Sequence, residues 1–192
     1  AYRQGFPLTG RRVRVGSHVY LETHDGTFLR EGQRVVVVPQ IKNVPGWAKK
    51  GRKWIDISIL RQSLVAYEGT RAVFATLVST GADGLGDPEE THSTVRGTFV
   101  IHTKHVTSTM DNDEEGDVYD LRDVPYVQYF NQGYALHGAY WHDSFGVPRS
   151  HGCINLSPAD ASWLFAWTEP YVPKGWHGRL QLRGGTMVYI HS

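Results

Sequence analysis

The chain has 192 residues, 40% of them apolar and 12% aromatic, enough for one full domain with something extra or for two small ones. Its 20 Lys and Arg face 19 Asp and Glu, a formal net charge of +1, so the basic excess of a nucleic-acid binder is missing. No run approaches the roughly 18 apolar residues of a membrane span, and the opening AYRQGFPLTGRRVRV lacks the apolar stretch of a signal peptide.

Residues 1–50 read as a small β-rich appendage, with RVVVV (Arg34 to Val38) as a β-branched strand. KNVPGWAKKGRK, Lys42 to Lys53, mixes Pro, Gly and charge and reads as a border. Its Lys49, Lys50, Arg52 and Lys53 are expected to be solvated. A main domain then spans residues 51–192. WIDISI alternates, with Ile55, Ile57 and Ile59 on one side and Asp56 and Ser58 on the other. QSLVAYEGTRAVFATLVSTG reads as a hairpin turning at Glu68-Gly69-Thr70. GTFVIHTKH, VPYVQYF, GYALH and TMVYI read as further strands.

One helix stands out, SPADASWLFAWTEP. Ser157 is its N-cap, Pro158 its first residue, Trp163, Leu164 and Trp167 fall at helical spacing, and Pro170 stops it. The acidic run Asp111 to Asp117 begins like a calcium loop. Its twelfth position is Arg122 rather than a bidentate Glu, so a solvated surface loop is the expectation.

The densest chemistry lies in LHGAYWHDSFGVPRSHGCINL, Leu136 to Leu156. It holds the only cysteine, Cys153, and three of the ten histidines, His137, His142 and His151. A lone Cys is usually a small buried hydrophobe. Ser150-His151-Gly152-Cys153 is polar and turn-rich, a poor setting for a core residue. A free thiol is only a few per cent thiolate at neutral pH, so a nucleophilic Cys needs an imidazole. His137 ends a strand and can face Cys153 from a neighbouring one. His151, two residues from Cys153, lies on its face if the segment is extended. His142 reads as solvated or packing. The Gly152 and Cys153 amides could point at a developing oxyanion.

The pattern HG, a loop, then SHGCIN resembles the YkuD-type L,D-transpeptidases of bacterial cell walls. WIDISILRQSLVAYEGTRAVFATLVSTG is similar to that family's opening strands, with Gln-x-Leu and a hairpin ending in Ser-Thr-Gly. STVRGTFVIHTK is similar to its Thr-Pro-x-Gly-x-Phe segment, with Val95 where Pro is common. The resemblance runs from about Trp54 to Thr168. It implies a mainly β fold, a YkuD-like β-sandwich with one helix after the catalytic cysteine. It implies Cys153 as nucleophile, His137 as base and acid, and the Gly138 carbonyl orienting His137. His151, Gly152 and Ser150 would shape the oxyanion loop. Asn155, where many members have Arg, would help hold a substrate carboxylate. Arg149, Tyr126 and Tyr134 are further substrate-binding candidates, although both tyrosines also read as sheet packing.

The implied activity is transfer through a thioester on peptidoglycan stem tetrapeptides, giving 3-3 cross-links, or hydrolysis of the terminal D-alanine. No cofactor or metal is needed, and the implied place is the periplasm or cell envelope. Two other readings stand beside it. His137, His151 and Cys153, with His102 or His142, could in principle hold zinc, but their spacing matches no zinc signature. An inactive cell-wall-binding module would keep the fold without using the thiol.

Overall fold

The computed structural model describes residues 5–32, 35–39, 41, 44–48, 51–112 and 119–192. It divides into two compact units, residues 1–42 and 43–192, earlier than the border read near residue 50. The first unit is an antiparallel meander of β1 (Leu8–Val15), β2 (His18–Thr23) and β3 (Phe28–Arg30). Gly16, at φ +60°, supplies the first turn. The second is tied by Thr27, whose hydroxyl donates to Asp25 Oδ1 at 2.8 Å. The strand expected at 34–38 is not found over 35–38, and Arg34 falls outside the described residues. β-branched composition cannot by itself supply the ladder partner a strand needs.

The second unit opens on a single 3-10 turn, Gly46–Ala48. Trp47 in that turn meets Trp54 edge-on at 5.6 Å, and Trp54 stacks on Tyr67 at 4.5 Å. Its strands are β4 (Lys53–Ser58), β5 (Ser63–Glu68), β6 (Arg71–Leu77), β7 (Gly97–Val100), β8 (Thr103–Asn112), β9 (Tyr119–Asn131), β10 (Tyr134–Gly138) and β11 (Ile154–Leu156). Helix α1 (Pro158–Trp167), β12 (Gly178–Leu180) and β13 (Met187–His191) complete it.

Two five-stranded sheets result, ordered β6-β5-β4-β13-β7 and β11-β10-β9-β8-β12. Ile55, Ile57, Leu64, Val188 and Ile190 of the first meet Phe130, Leu136, Ile154 and Leu156 of the second, with Ala161 and Leu164 of α1, in one buried core. The fold is thus mainly β, with one α-helix among the described residues, following the cysteine.

The expected single strand 97–105 is two strands in different sheets. The chain crosses between them at Ile101 and His102. The polar side of WIDISI is not a solvent face either. Asp56 is 6% exposed and Ser58 3%, because β4 is a central strand covered on both sides. Burial raises the Asp56 pKa against the pull of His191, whose Nε2 lies 3.2 Å away.

Helix α1 starts as its sequence dictates. The Ser157 hydroxyl accepts the Asp160 N–H at 3.2 Å, and Pro158 follows the cap. Its end is closed by two lysines from the sheets. Lys104 Nζ donates to Phe165 O at 2.5 Å, Thr168 O at 2.9 Å and Thr168 Oγ1 at 3.0 Å, while Lys53 Nζ donates to Trp167 O at 2.9 Å. Both cations sit where helix carbonyls lack partners and the helix dipole is negative.

Candidate active site

β10 and β11 run parallel in the register Leu136 to Ile154, His137 to Asn155 and Gly138 to Leu156. Paired residues in a sheet share a face and successive ones alternate. Leu136, Ile154 and Leu156 turn inward to the core. Ala135, His137 and Asn155 therefore turn to the opposite face. Cys153, one residue before β11, joins that face. It packs on a small cluster of Val124, Val127 and Ala135, edged by Tyr129 and Trp141. The sulfur thus lies outside the main core, diagonal to His137 across one pair of strands. Such diagonal positions are within reach of ring side chains.

Three segments pin the Cys153 loop. The backbone after β6 runs beside it, with Ala82 N–H to Ser150 O at 2.8 Å, Arg149 N–H to Thr80 O at 2.8 Å and Gly146 N–H to Val78 O at 2.9 Å. Gln62 clamps that backbone in turn. Its Nε2 donates to Thr80 Oγ1 at 2.6 Å, and its Oε1 accepts the Thr80 N–H at 2.9 Å. Thr94 joins the two layers, accepting from Gly81 N–H at 2.8 Å and donating to Gly152 O at 2.7 Å. Gly81 has no room for a side chain, since a Cβ there would lie 2.0 Å from His92 O.

Inside the loop, Ser150 is 7% exposed. Its hydroxyl donates to Cys153 O and accepts the Gly152 N–H at 3.1 Å. Gly152 sits at φ +116°, and a Cβ on it would lie 2.7 Å from Tyr134 Cε1. Only glycine adopts that backbone against that ring without strain.

The electrostatics describe a neutral resting pair. Burial pushes the Cys153 thiol up to about 11, opposed by a hydrogen bond from the Ala135 backbone. Burial lowers the His137 imidazole to about 4, opposed by its bond to Gly138 and reinforced by His142. At neutral pH the site therefore holds a thiol and an uncharged imidazole rather than an ion pair. The thiol points at Gly133 O, 3.6 Å away. His137 is 3% exposed, with Nδ1 3.3 Å from Gly138 O. A proton on Nδ1 directed at that carbonyl leaves Nε2 as the basic nitrogen.

The other sequence candidates scatter. His151 is exposed and stands edge-on to His92 at 4.8 Å. The extended geometry that would put it on the Cys153 face is broken by Gly152. The Gly152 amide is held by Ser150 rather than free toward an oxyanion. Tyr126 packs on the core face, 5.6 Å from the Phe165 ring of α1, away from the Cys153 face. Tyr134 lies under the loop against Gly152 and donates to Pro88 O at 3.3 Å. Asn155 is 3% exposed and bonded to His142, too deep to hold a substrate carboxylate directly. Arg149 is exposed, its backbone fixed by Thr80.

Thr94, Gln62 and Thr80 brace the site from within the quoted Gln-x-Leu, Ser-Thr-Gly and STVRG segments, where no nucleophile or base marks them in the sequence. Tyr129 and Trp141 carried no local signal. They reach the site through cross-strand register, Tyr129 opposite Ala135, and through the Trp141 ring, 5.7 Å from His137. Among the described residues no group of three or more His, Cys, Asp or Glu is placed to hold a metal ion. No helix there is long and apolar enough to cross a membrane.

Comparison with known proteins gives the family. The L,D-transpeptidase catalytic domain, YkuD, matches residues 52–190, and the chain belongs to that family. It is 24% identical over 143 residues to "Putative L,D-transpeptidase YciB" of Bacillus subtilis, covering 61% of each chain. It shares its fold with a cysteine-to-serine mutant of Enterococcus faecium L,D-transpeptidase, at TM-score 0.55 and 22% identity over 73% of this chain and 50% of that one. An L,D-transpeptidase from Mycobacterium smegmatis matches at TM-score 0.57 and 19% identity, over 93% of this chain and 69% of that one. The chain thus spans 61% of YciB and half of the Enterococcus protein.

Proposed function

We propose that this chain is a cysteine-dependent L,D-transpeptidase acting on peptidoglycan stem tetrapeptides in the periplasm or cell envelope. The reading is carried by the register of β10 and β11, which sets Cys153, one residue before β11, diagonal to His137 on the same side of the sheet and away from the main core. Family membership supplies the substrate class.

The Cys153 sulfur attacks the carbonyl of the third stem residue, and its proton passes to His137 Nε2. Because thiol and imidazole both rest neutral, proton transfer accompanies attack rather than preceding it. The Cys153 amide stabilises the oxyanion. The Gly152 amide adds to it only if the Ser150 hydroxyl lets go. Removing one such donor typically costs about 3 kcal/mol of transition-state stabilisation. His137 then protonates the departing D-alanine amine, leaving a thioester on Cys153. A side-chain amine of a second stem attacks the thioester, His137 takes its proton, and a 3-3 cross-link forms. Water in the same place hydrolyses the thioester and gives a tripeptide.

Incubation with a disaccharide tetrapeptide, followed by product masses, tests this directly. The expected products are a dimer that has lost one D-alanine, or a monomer that has lost it. Unchanged substrate, with Cys153 unmodified by a carbapenem, would instead leave an inactive wall-binding module.

A further inference from the structure

The segment after α1 leaves its largest apolar side chains in water. Among the described residues twelve large apolar side chains are exposed, and four of them fall within 171–182: Tyr171 at 56%, Trp176 at 61%, Leu180 at 67% and Leu182 at 75%. The backbone around them is held at both ends and in the middle. Thr186 N–H donates to Glu169 O at 3.0 Å, Trp176 N–H to Pro173 O at 3.0 Å, Val106 N–H to His177 O at 2.7 Å and Gln181 N–H to His102 O at 2.7 Å. Arg179 Nη1 donates to Tyr171 O at 3.2 Å and ties Tyr171 to β12. Exposed apolar groups gathered on a fixed backbone mark a contact surface.

The charge of the segment narrows what it meets. Lys174, Arg179 and Arg183 are exposed, and from Pro170 to Ser192 the sequence holds no acid. Glu169, just before, turns its carboxylate to the Tyr171 N–H at 2.8 Å. A second copy docked patch to patch would set these cations against their like. An uncharged glycan would use the rings but neither the leucines nor the cations. Trp and Tyr beside Leu, Lys and Arg is the composition that settles at a bilayer interface. We propose that residues 171–183 form a docking surface for an anionic lipid bilayer, with Trp176, Leu180 and Leu182 entering the headgroup layer and the three cations meeting lipid phosphates. Leu180 pairs with Thr103, Thr103 with Tyr129, and Tyr129 with Ala135. Paired residues share a face, so Leu180 stands on the side of the sheet that carries Cys153, and the bilayer is met beside the site rather than behind it.

Sedimentation of the whole chain with lipid vesicles tests it. Vesicles of phosphatidylcholine with about one-third phosphatidylglycerol are expected to bind the chain at least about tenfold more tightly than phosphatidylcholine alone. Joint Trp176→Ser and Leu182→Ser substitution should weaken that binding at least about tenfold at an unchanged melting temperature, since both side chains are exposed. Joint Lys174→Ala and Arg183→Ala substitution should erase most of the preference for the anionic lipid. No vesicle binding by the unsubstituted chain, or vesicle binding that the Trp176→Ser and Leu182→Ser variant keeps, overturns the proposal. So does a dimer in sedimentation velocity that this variant loses, which would assign the patch to a second copy. None of these readings depends on whether Cys153 is acylated, so the docking surface and the transpeptidase reading stand or fall separately.

Discussion

Gly152 shows how one residue can be both legible and misread. The sequence placed a glycine before the thiol and suggested a tight turn, which its φ of +116° bears out. What one chain segment cannot reveal is Tyr134, arriving from another strand to fill the space where a Cβ would stand, 2.7 Å away. Gly152→Ala is therefore expected to displace the Cys153 loop and lower stability by about 1–3 kcal/mol. Thermal unfolding reads the stability, and the yield of carbapenem adduct reads the loss of acylation. Cys153 itself carries a pH prediction. With its pKa near 11, its alkylation by iodoacetamide should stay slow at neutral pH and climb across the alkaline range. A plateau reached by about pH 7 would point to an ion pair. The His151 expectation failed for a related reason. Two-residue periodicity assumes an extended chain, and a left-handed glycine removes that assumption.

The elements most readable from sequence were those whose signals are local. The Ser157-Pro158 start of α1 and the Gly69 turn between β5 and β6 depend on nearest neighbours, and both were found in place. The split of 97–105 into β7 and β8 was not readable, because the change of sheet at Ile101 and His102 leaves the run of β-forming residues unbroken. Closure of α1 was also hidden. Its C-terminal carbonyls are met by Lys104 and Lys53, far away in sequence, and Lys104 is fully buried, with its pKa lowered to about 8 chiefly by that burial. Lys104→Met is expected to leave the carbonyls of Phe165 and Thr168 without this donor and to cost about 2 kcal/mol, measured by urea unfolding. Thr94→Val should act at longer range. It removes the contacts to Gly81 and Gly152 together, loosening the Cys153 loop and slowing acylation more than it lowers the melting temperature.

For the whole molecule, the burial of His137 ties stability to pH. Its folded pKa of about 4 lies below the ordinary value of 6.5, so the unfolded chain takes up a proton that the folded chain refuses. Stability is therefore expected to fall as pH drops from about 6.5 to about 4, by about 3 kcal/mol in total. Urea midpoints at several pH values measure that slope, and His137→Asn should flatten it. The sheet order carries a further consequence. β13 lies between β4 and β7, parallel to one and antiparallel to the other. The two flanking strands share no ladder until that ribbon slides into the gap. A nascent chain still short of Met187 thus has a slot where the middle of its sheet belongs, and this unit cannot close until the stretch up to His191 has emerged from the ribosome.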